Sequence, residues 1–310
     1  MTILIAGNTG LAGSAIYKAF SDLGEEVIGL NSSIVDLRDR KSTIEFFENV
    51  KPRIVIDAAA KVGGIMANDK FPVDFLLDNI AIQNNLMLAS NLVDVNKFVF
   101  LGSSCIYPRN AKQPIKEEYL MTGPLEKSNS AYSVAKISGV ELVNSFRKQY
   151  GRKWITLMPT NLYGAGDNFD LQDSHVLPAF IRRFVEATKN NVEAVTLWGT
   201  GEPLREFLHV NDLADAVVLA SNIYSDELHL NVGTGEDISI KELAEIIAHE
   251  AGFKGQILWD ATKPNGTPRK VLDVSRLNSL GWKAKINLRE GIKETIDWYR
   301  EASEINEVRN

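Results

Sequence analysis

Tyr132 and Lys136 stand four apart in AYSVAK, so a helix through them puts both side chains on one face. An ammonium held beside a phenol lowers its pKa, and Tyr132 could then give or take a proton near neutral pH. Ser103 and Cys105 lie two apart in LGSSCIYP, just after an apolar run, and Cys105 is the only cysteine in 310 residues. A thiol with a reference pKa of about 8.5 could also carry a proton. Plainer readings stand beside these: a Tyr and a Lys can share a helix surface, and a free cysteine is commonly a small buried hydrophobe. Upstream, ILIAGNTGLAGSAI sets Gly7, Gly10 and Gly13 directly after a strand and at the start of a helix. Glycines there allow a tight turn, close approach of a pyrophosphate to the backbone, and tight helix packing, while the first helical amides face the anion. The turn reads as a dinucleotide cradle.

These groups need a scaffold that brings strand ends to one edge. Short β-branched runs at 3–6, 26–30, 54–58, 97–101 and 154–158 alternate with helical patterns at 12–23, 41–49, 72–95 and 131–150. That alternation predicts βαβ units and therefore an α/β fold, a doubly wound parallel sheet of the Rossmann kind. Such sheets bind ligands outside the carboxyl ends of their strands, where Gly7 and Ser103 fall. From position 160 the texture turns loop-like, and a helix is expected at 177–189. REFLHVNDL then reads as a strand entering a helix capped by Asn211 or Asp212, and HLNVG as a further strand. Helices at 239–250 and 288–301, joined through KPNGTPRK, complete a smaller, mainly C-terminal α/β lobe.

Composition narrows the function. A net charge of −6, from 34 basic and 40 acidic residues, argues against nucleic-acid binding, which needs basic patches to neutralise phosphates. No apolar run reaches the roughly 18 residues of a membrane span, so no membrane partner is expected. One cysteine makes no internal disulfide, and no Cys/His spacing resembles a metal site; a cytoplasmic address and no metal are the expectations. At the end of the second strand, IGLNSS (28–33) offers neither an acid for a ribose hydroxyl nor an arginine for a 2′-phosphate. Asp36 is expected to face the adenine instead, with Arg38 and Arg40 as the candidates to reach a phosphate.

The spacing GxxGxxG with YSVAK resembles the extended short-chain dehydrogenase/reductases. Within them the chain resembles the GDP-L-fucose synthase family over residues 7 to 282. The blocks that carry this are AAKVGGIMAN (58–67), GSSCIYP (102–108), YSVAK (132–136), MPTNLYG (158–164), DNF (167–169), SHVLPAFIRRF (174–184), WGTGEPLREFLHV (198–210) and GTPRKVLDVSRL (266–277), all in order.

The resemblance implies a two-part reaction on a GDP-sugar: proton exchange at C3 and C5 beside a C4 ketone, then reduction of that ketone by hydride. It implies Ser103, Tyr132 and Lys136 as the reductase triad, and Cys105 with His175 as the epimerisation pair. The chemistry agrees, since a thiol and an imidazole can exchange protons on opposite faces near neutral pH, while the hydroxyls of Ser103 and Tyr132 meet the enolate charge. NADPH is the implied cofactor, with NADH left open because the glycine turn carries Asn8 and Thr9 where the family often has an arginine. The resemblance lines the cofactor with Gly7, Asn8, Thr9, Gly10, Leu11, Ala12, Gly13, Asp36, Leu37, Ala58, Ala60, Lys136, Pro159, Asn161, Leu162 and His175. For the diphosphate and base of the substrate it implies Arg183, Trp198, Arg205 and Lys270. It also implies residues 1–166 and 207–233 as the dinucleotide domain, 167–206 and 234–310 as the nucleotide-sugar lobe, and a homodimer built through the helices at 72–95 and 131–150. His209 is expected to be structural, and His229 and His249 match no chemical motif.

Two other functions fit parts of the pattern. Another nucleotide-sugar 4-epimerase or 4,6-dehydratase would share the cofactor turn, but a dehydratase normally places an acidic pair where Ser104 and Cys105 stand. A cofactor-binding regulator without catalysis would not need Ser103, Tyr132 and Lys136 together.

Overall fold

The computed structural model describes residues 2–171, 174–263, 265–305 and 308; Gln172 and Asp173 of the expected loop and Pro264 of KPNGTPRK lie outside them. In chain order the first half runs β1 (Thr2–Ala6), α1 (Leu11–Asp22), β2 (Glu26–Leu30), α2 (Arg40–Val50), β3 (Ile54–Asp57), α3 (Ile65–Lys70), α4 (Pro72–Leu92), β4 (Lys97–Leu101), α5 (Ser130–Tyr150) and β5 (Ile155–Pro159). There follow β6 (Asn161–Tyr163), α6 (Val176–Lys189), β7 (Ala194–Trp198), β8 (Leu204–Arg205), β9 (Phe207–His209), α7 (Val210–Ile223) and β10 (Leu230–Val232). The chain then passes through β11 (Ile238–Ser239), α8 (Ile240–Ala251), β12 (Gln256–Asp260), β13 (Arg269–Lys270), α9 (Ser275–Ser279) and α10 (Leu288–Glu304).

Six strands form one parallel sheet in the order β10-β5-β4-β3-β1-β2. Its central strands are apolar along almost their whole length because helices cover both faces, which removes the polar alternation of a half-exposed strand. One face packs Leu4, Val55, Phe98 and Phe100 under α4 and α5; the other packs Ile3, Ile56, Val99 and Leu157 under α1 and α7. The strand order reverses between β1 and β3, and a doubly wound sheet opens its binding crevice at that reversal. A third core, with Phe169, Phe184, Leu197 and Ile247, lies among α6, α8, α10 and the β7–β12 pair. The small sheet β11-β8-β13 lies beside it.

The expected strands and helices recur within one to three residues at each end. The short α3 and α9, the short strands β6, β11 and β13 and the β7–β12 pair are additions that the sequence pattern did not reveal. The start of α7 is a correction. Its cap is His209, whose Nδ1 accepts from the Asn211 amide at 3.3 Å. Asp212 is unavailable as a cap because its carboxylate accepts the amides of Lys285 at 3.1 Å and Ile286 at 2.9 Å. Among the described residues no helix is long and apolar enough to cross a membrane.

Candidate active site

The site forms where β1, β3 and β4 end. Gly7 leaves β1 with φ +81°, and a side chain there would begin 2.8 Å from Ala58 O and the Ala59 backbone. At Gly13 a Cβ would lie 2.1 Å from Gly7 O, so helix α1 can approach the turn this closely only without one. Gly10 caps α1 with no side chain, and the opening amides of the helix keep their positive end for an anion. The turn from Gly7 through Asn8, Thr9, Gly10, Leu11 and Ala12 to Gly13 therefore fits a dinucleotide's pyrophosphate. Ala58 and Ala60 line the exit of β3, and Pro159 closes β5 ahead of Asn161 and Leu162.

Past the end of β2, Asp36 is engaged within the chain. The Asp36 carboxylate does not stand free toward a base; it accepts from the Arg38 amide at 3.0 Å and from its guanidinium at 2.9 Å. Arg38 also faces Asp78 at 3.5 Å, so its charge is taken by two carboxylates. Asn85 fixes this turn by donating to Leu37 O and Arg38 O. Asn8 lies across Gly29 and accepts from Asn31 Nδ2 at 3.3 Å, which leaves amides at the end of β2.

Ser103 follows β4, and its Oγ caps the turn Ser104–Ile106 by accepting from the Cys105 amide at 3.3 Å. The carbonyl of Cys105 accepts from Ser133 at 3.0 Å, which ties this turn to α5. Helix α5 lies hard against the sheet because Gly139 meets the Phe100 ring, where a Cβ would come within 2.4 Å. Gln83 of α4 pins it further by donating to Ala135 O and Ser138 Oγ. Lys136 is thereby buried, its Nζ donating to Leu101 O at 2.9 Å and lying 4.7 Å from the Phe100 ring centre and 5.9 Å from that of Tyr132.

The electrostatics correct one expectation. Burial first, then Cys105 and Asp57, hold the Tyr132 phenol well above its ordinary value. The ammonium does not pull it down, because Lys136 is itself lowered by burial and is directed at Leu101 O. A phenol raised in this way remains protonated at neutral pH, which suits a proton donor.

On the facing side, β13 and β8 pair in parallel with Lys270 opposite Arg205, so two cations share one face. Burial lowers both; Arg205 presses Lys270 further down, while Cys105 favours its charged form. His175, at the entry to α6, is exposed to solvent yet crowded by protein, and burial followed by Lys270 lowers its pKa. Lys270 thus lowers His175, while Cys105 acts on Lys270, Tyr132 and Lys136: one electrostatic cluster joins the two expected catalytic sets.

The other residues expected to face substrate are more dispersed. Arg183 donates to Thr196 O at 3.1 Å, Asn161 donates to Glu206 O at 2.8 Å, and Trp198 is exposed at the end of β7 with Lys263 over its ring at 5.6 Å. His209 is buried as a cap, His229 is buried against the Tyr107 hydroxyl at 2.8 Å, and His249 is exposed beside Glu250. Among the described residues no cluster could hold a metal ion.

Two of the buried acids that escaped the sequence reading bear on the site. Glu206 accepts the amides of Thr234, Gly235 and Leu272 at 2.7 to 2.8 Å and so fixes the strand that presents Lys270. Asp57 ends β3 fully buried. An acid closing an otherwise apolar parallel strand was the available signal for Asp57; Glu206 had none.

Comparison with known proteins agrees with this geometry. The model of the NAD dependent epimerase/dehydratase family matches residues 3–233. The GDP-L-fucose synthase of Escherichia coli (strain K12) is 46% identical, the match covering 96% of each chain, and GDP-L-fucose synthase 1 of Arabidopsis thaliana is 49% identical over 96% of this chain and 92% of that protein. A crystal structure of a GDP-L-fucose synthetase from Naegleria fowleri bound to NADP superposes with a TM-score of 0.91 at 30% identity, covering 100% of this chain and 96% of that one. A glycine turn feeding helix α1, Ser103 after β4 with Tyr132 and Lys136 on α5, and matches along nearly the whole chain agree in one assignment: the chain belongs to the NAD dependent epimerase/dehydratase family.

Proposed function

We propose that this chain is a GDP-L-fucose synthase, which epimerises GDP-4-keto-6-deoxy-D-mannose at C3 and C5 and reduces the C4 ketone with NADPH. The observation that carries the reading is the cluster in which Cys105 acts on Lys270, Tyr132 and Lys136 while Lys270 acts on His175. A reductase alone would require only the second pair.

In this reading Arg205 and Lys270 hold the diphosphate, with Arg183 and Trp198 toward the nucleoside. Cys105 and His175 take a proton from one face of the carbon beside the ketone and return one to the other. Ser103 and Tyr132 donate hydrogen bonds to the oxygen on which the enolate charge collects. The glycine turn and residues 58–60 would hold the dinucleotide, which when bound would supply a hydride to C4. Tyr132 gives its proton to the C4 oxygen as the C–H bond forms, so ketone, hydride and proton balance as a secondary alcohol. Lys136 stands behind the phenol as a cation.

The cofactor and sugar domains at 1–166 with 207–233 and 167–206 with 234–310 belong to this proposal. So do a cytoplasmic address and a homodimer through α4 and α5, supported by the exposed Val73, Leu77 and Val134 on those helices. The deciding experiment incubates the enzyme with NADPH and the GDP-keto sugar in deuterated water. GDP-L-fucose carrying deuterium at C3 and C5 is the expected product. Reduction without deuterium would reduce the chain to a simple 4-reductase, and no NADPH oxidation would overturn the reading.

A further inference from the structure

Asp57 has no task in that scheme. It ends β3 beside the reversal of strand order, paired with Ala6 of β1 on one side and Phe100 of β4 on the other. Register partners on parallel strands project to the same face, so the carboxylate and the Phe100 ring share the face covered by α5. Lys136 Nζ lies over that ring, and the next carbonyl along β4, Leu101 O, receives its hydrogen bond. The Asp57 side chain has no exposure to solvent. One oxygen accepts from the Ala59 amide at 3.2 Å, and the other has no partner among the described residues. A carboxylate is kept ionised in such a place only by a cation or a full set of donors. A single amide is not a full set.

We propose that Asp57 is a positioning residue for reduction: its buried carboxylate is the counter-ion that holds the Tyr132–Lys136 pair in the protonated state from which the ketone oxygen receives its proton. This rests on the function proposed above. The local charges agree in sign. Burial lowers Lys136, and Asp57 and then Cys105 oppose that fall; burial, Cys105 and Asp57 together raise Tyr132. Burial brings Asp57 itself up to about 6, against the pull of Lys136. Among the described residues, the charged groups acting on the pair are thus Asp57 from β3 and Cys105 from the turn after β4. The acids of α4 that lie nearest in sequence to the site, Asp74 and Asp78, are engaged by Lys61 and Arg38.

Asp57→Asn keeps the shape and the acceptor for Ala59 while removing the charge. Two titrations test it. The pH profile of NADPH-dependent reduction should lose its alkaline limb about one pH unit lower than in the wild type, since removing an anion lowers the pKa of both Tyr132 and Lys136. Without substrate or cofactor, the titration of the Lys136 ammonium, followed by NMR of labelled lysine and assigned by difference from Lys136→Met, should move the same way. Asp57→Ser, a smaller neutral side chain, should reproduce both shifts and replaces the asparagine variant if that one does not fold. An unmoved limb together with an unmoved Lys136 titration overturns the role of Asp57. A wild type that fails to reduce the GDP-keto sugar overturns the function alone, because the Lys136 titration still decides about Asp57.

Discussion

Replacing Arg205 with methionine separates binding from folding, because the two should change in opposite directions. Arg205 and Lys270 are register partners on adjacent strands, both part-buried and both lowered by burial, with Lys270 further depressed by its neighbour. Two like unit charges at an effective dielectric near 20 repel by roughly 2 kcal/mol for an assumed separation on the order of 8 Å. The hydrogen bond from Arg205 Nη1 to Leu204 O at 2.8 Å is lost with the guanidinium, and such a bond is worth about 1 kcal/mol net. The unliganded variant should therefore be more stable by about 1 kcal/mol, a rise in Tm of roughly 2 °C for a chain of this size. Binding should suffer, since a charge-assisted hydrogen bond to a diphosphate contributes about 2 kcal/mol, or roughly 30-fold in affinity. Calorimetric titration with GDP and differential scanning calorimetry, each on wild type and Arg205→Met, give both quantities. Unchanged GDP affinity would remove Arg205 from the diphosphate site, and a fall in the unliganded Tm would show that the guanidinium stabilises the fold and does not strain it.

The other expectations concern the catalytic groups and the cofactor. Cys105→Ser should abolish deuterium incorporation at C3 and C5 with NADPH affinity unchanged, whereas Tyr132→Phe should suppress hydride transfer at least about 100-fold and spare exchange more; equal loss of both in either variant would refute the division. Exchange should persist below the ordinary histidine range on the acid side, because a lowered pKa keeps His175 neutral as pH falls; a limb at or above the usual imidazole value would contradict its setting. Asp36→Asn should release Arg38 and raise the ratio of kcat/KM for NADPH over NADH about tenfold, and an unchanged ratio would show that Arg38 cannot reach a 2′-phosphate.

The parts of this molecule that could be read in advance are those fixed by local periodicity. Fully buried parallel strands leave continuous apolar runs, so TILIA and KFVFL announced themselves, and helix periodicity gave α5 to within one residue of each end. Cys105 and His175, 70 positions apart, carry no mutual signal by spacing; they were named only through family blocks, and the structure joins them through Lys270, which lies on a two-residue strand. The electrostatic sign at Tyr132 was misread because helical spacing says which residues share a face and nothing about what buries them. There the phenol meets Asp57 at the end of β3 and Cys105 in the turn after β4, and the ammonium four residues on is spent on a carbonyl. Asp57 makes the same point from the other side. Its charge acts on α5 only because the β3–β4 register sets it beside Phe100, and register is a property of paired strands that neither strand's sequence contains alone. Chemistry that depends on residue type and helical spacing is therefore legible in one sequence, while chemistry that depends on which buried charges face each other across strands becomes legible only when the sheet is built.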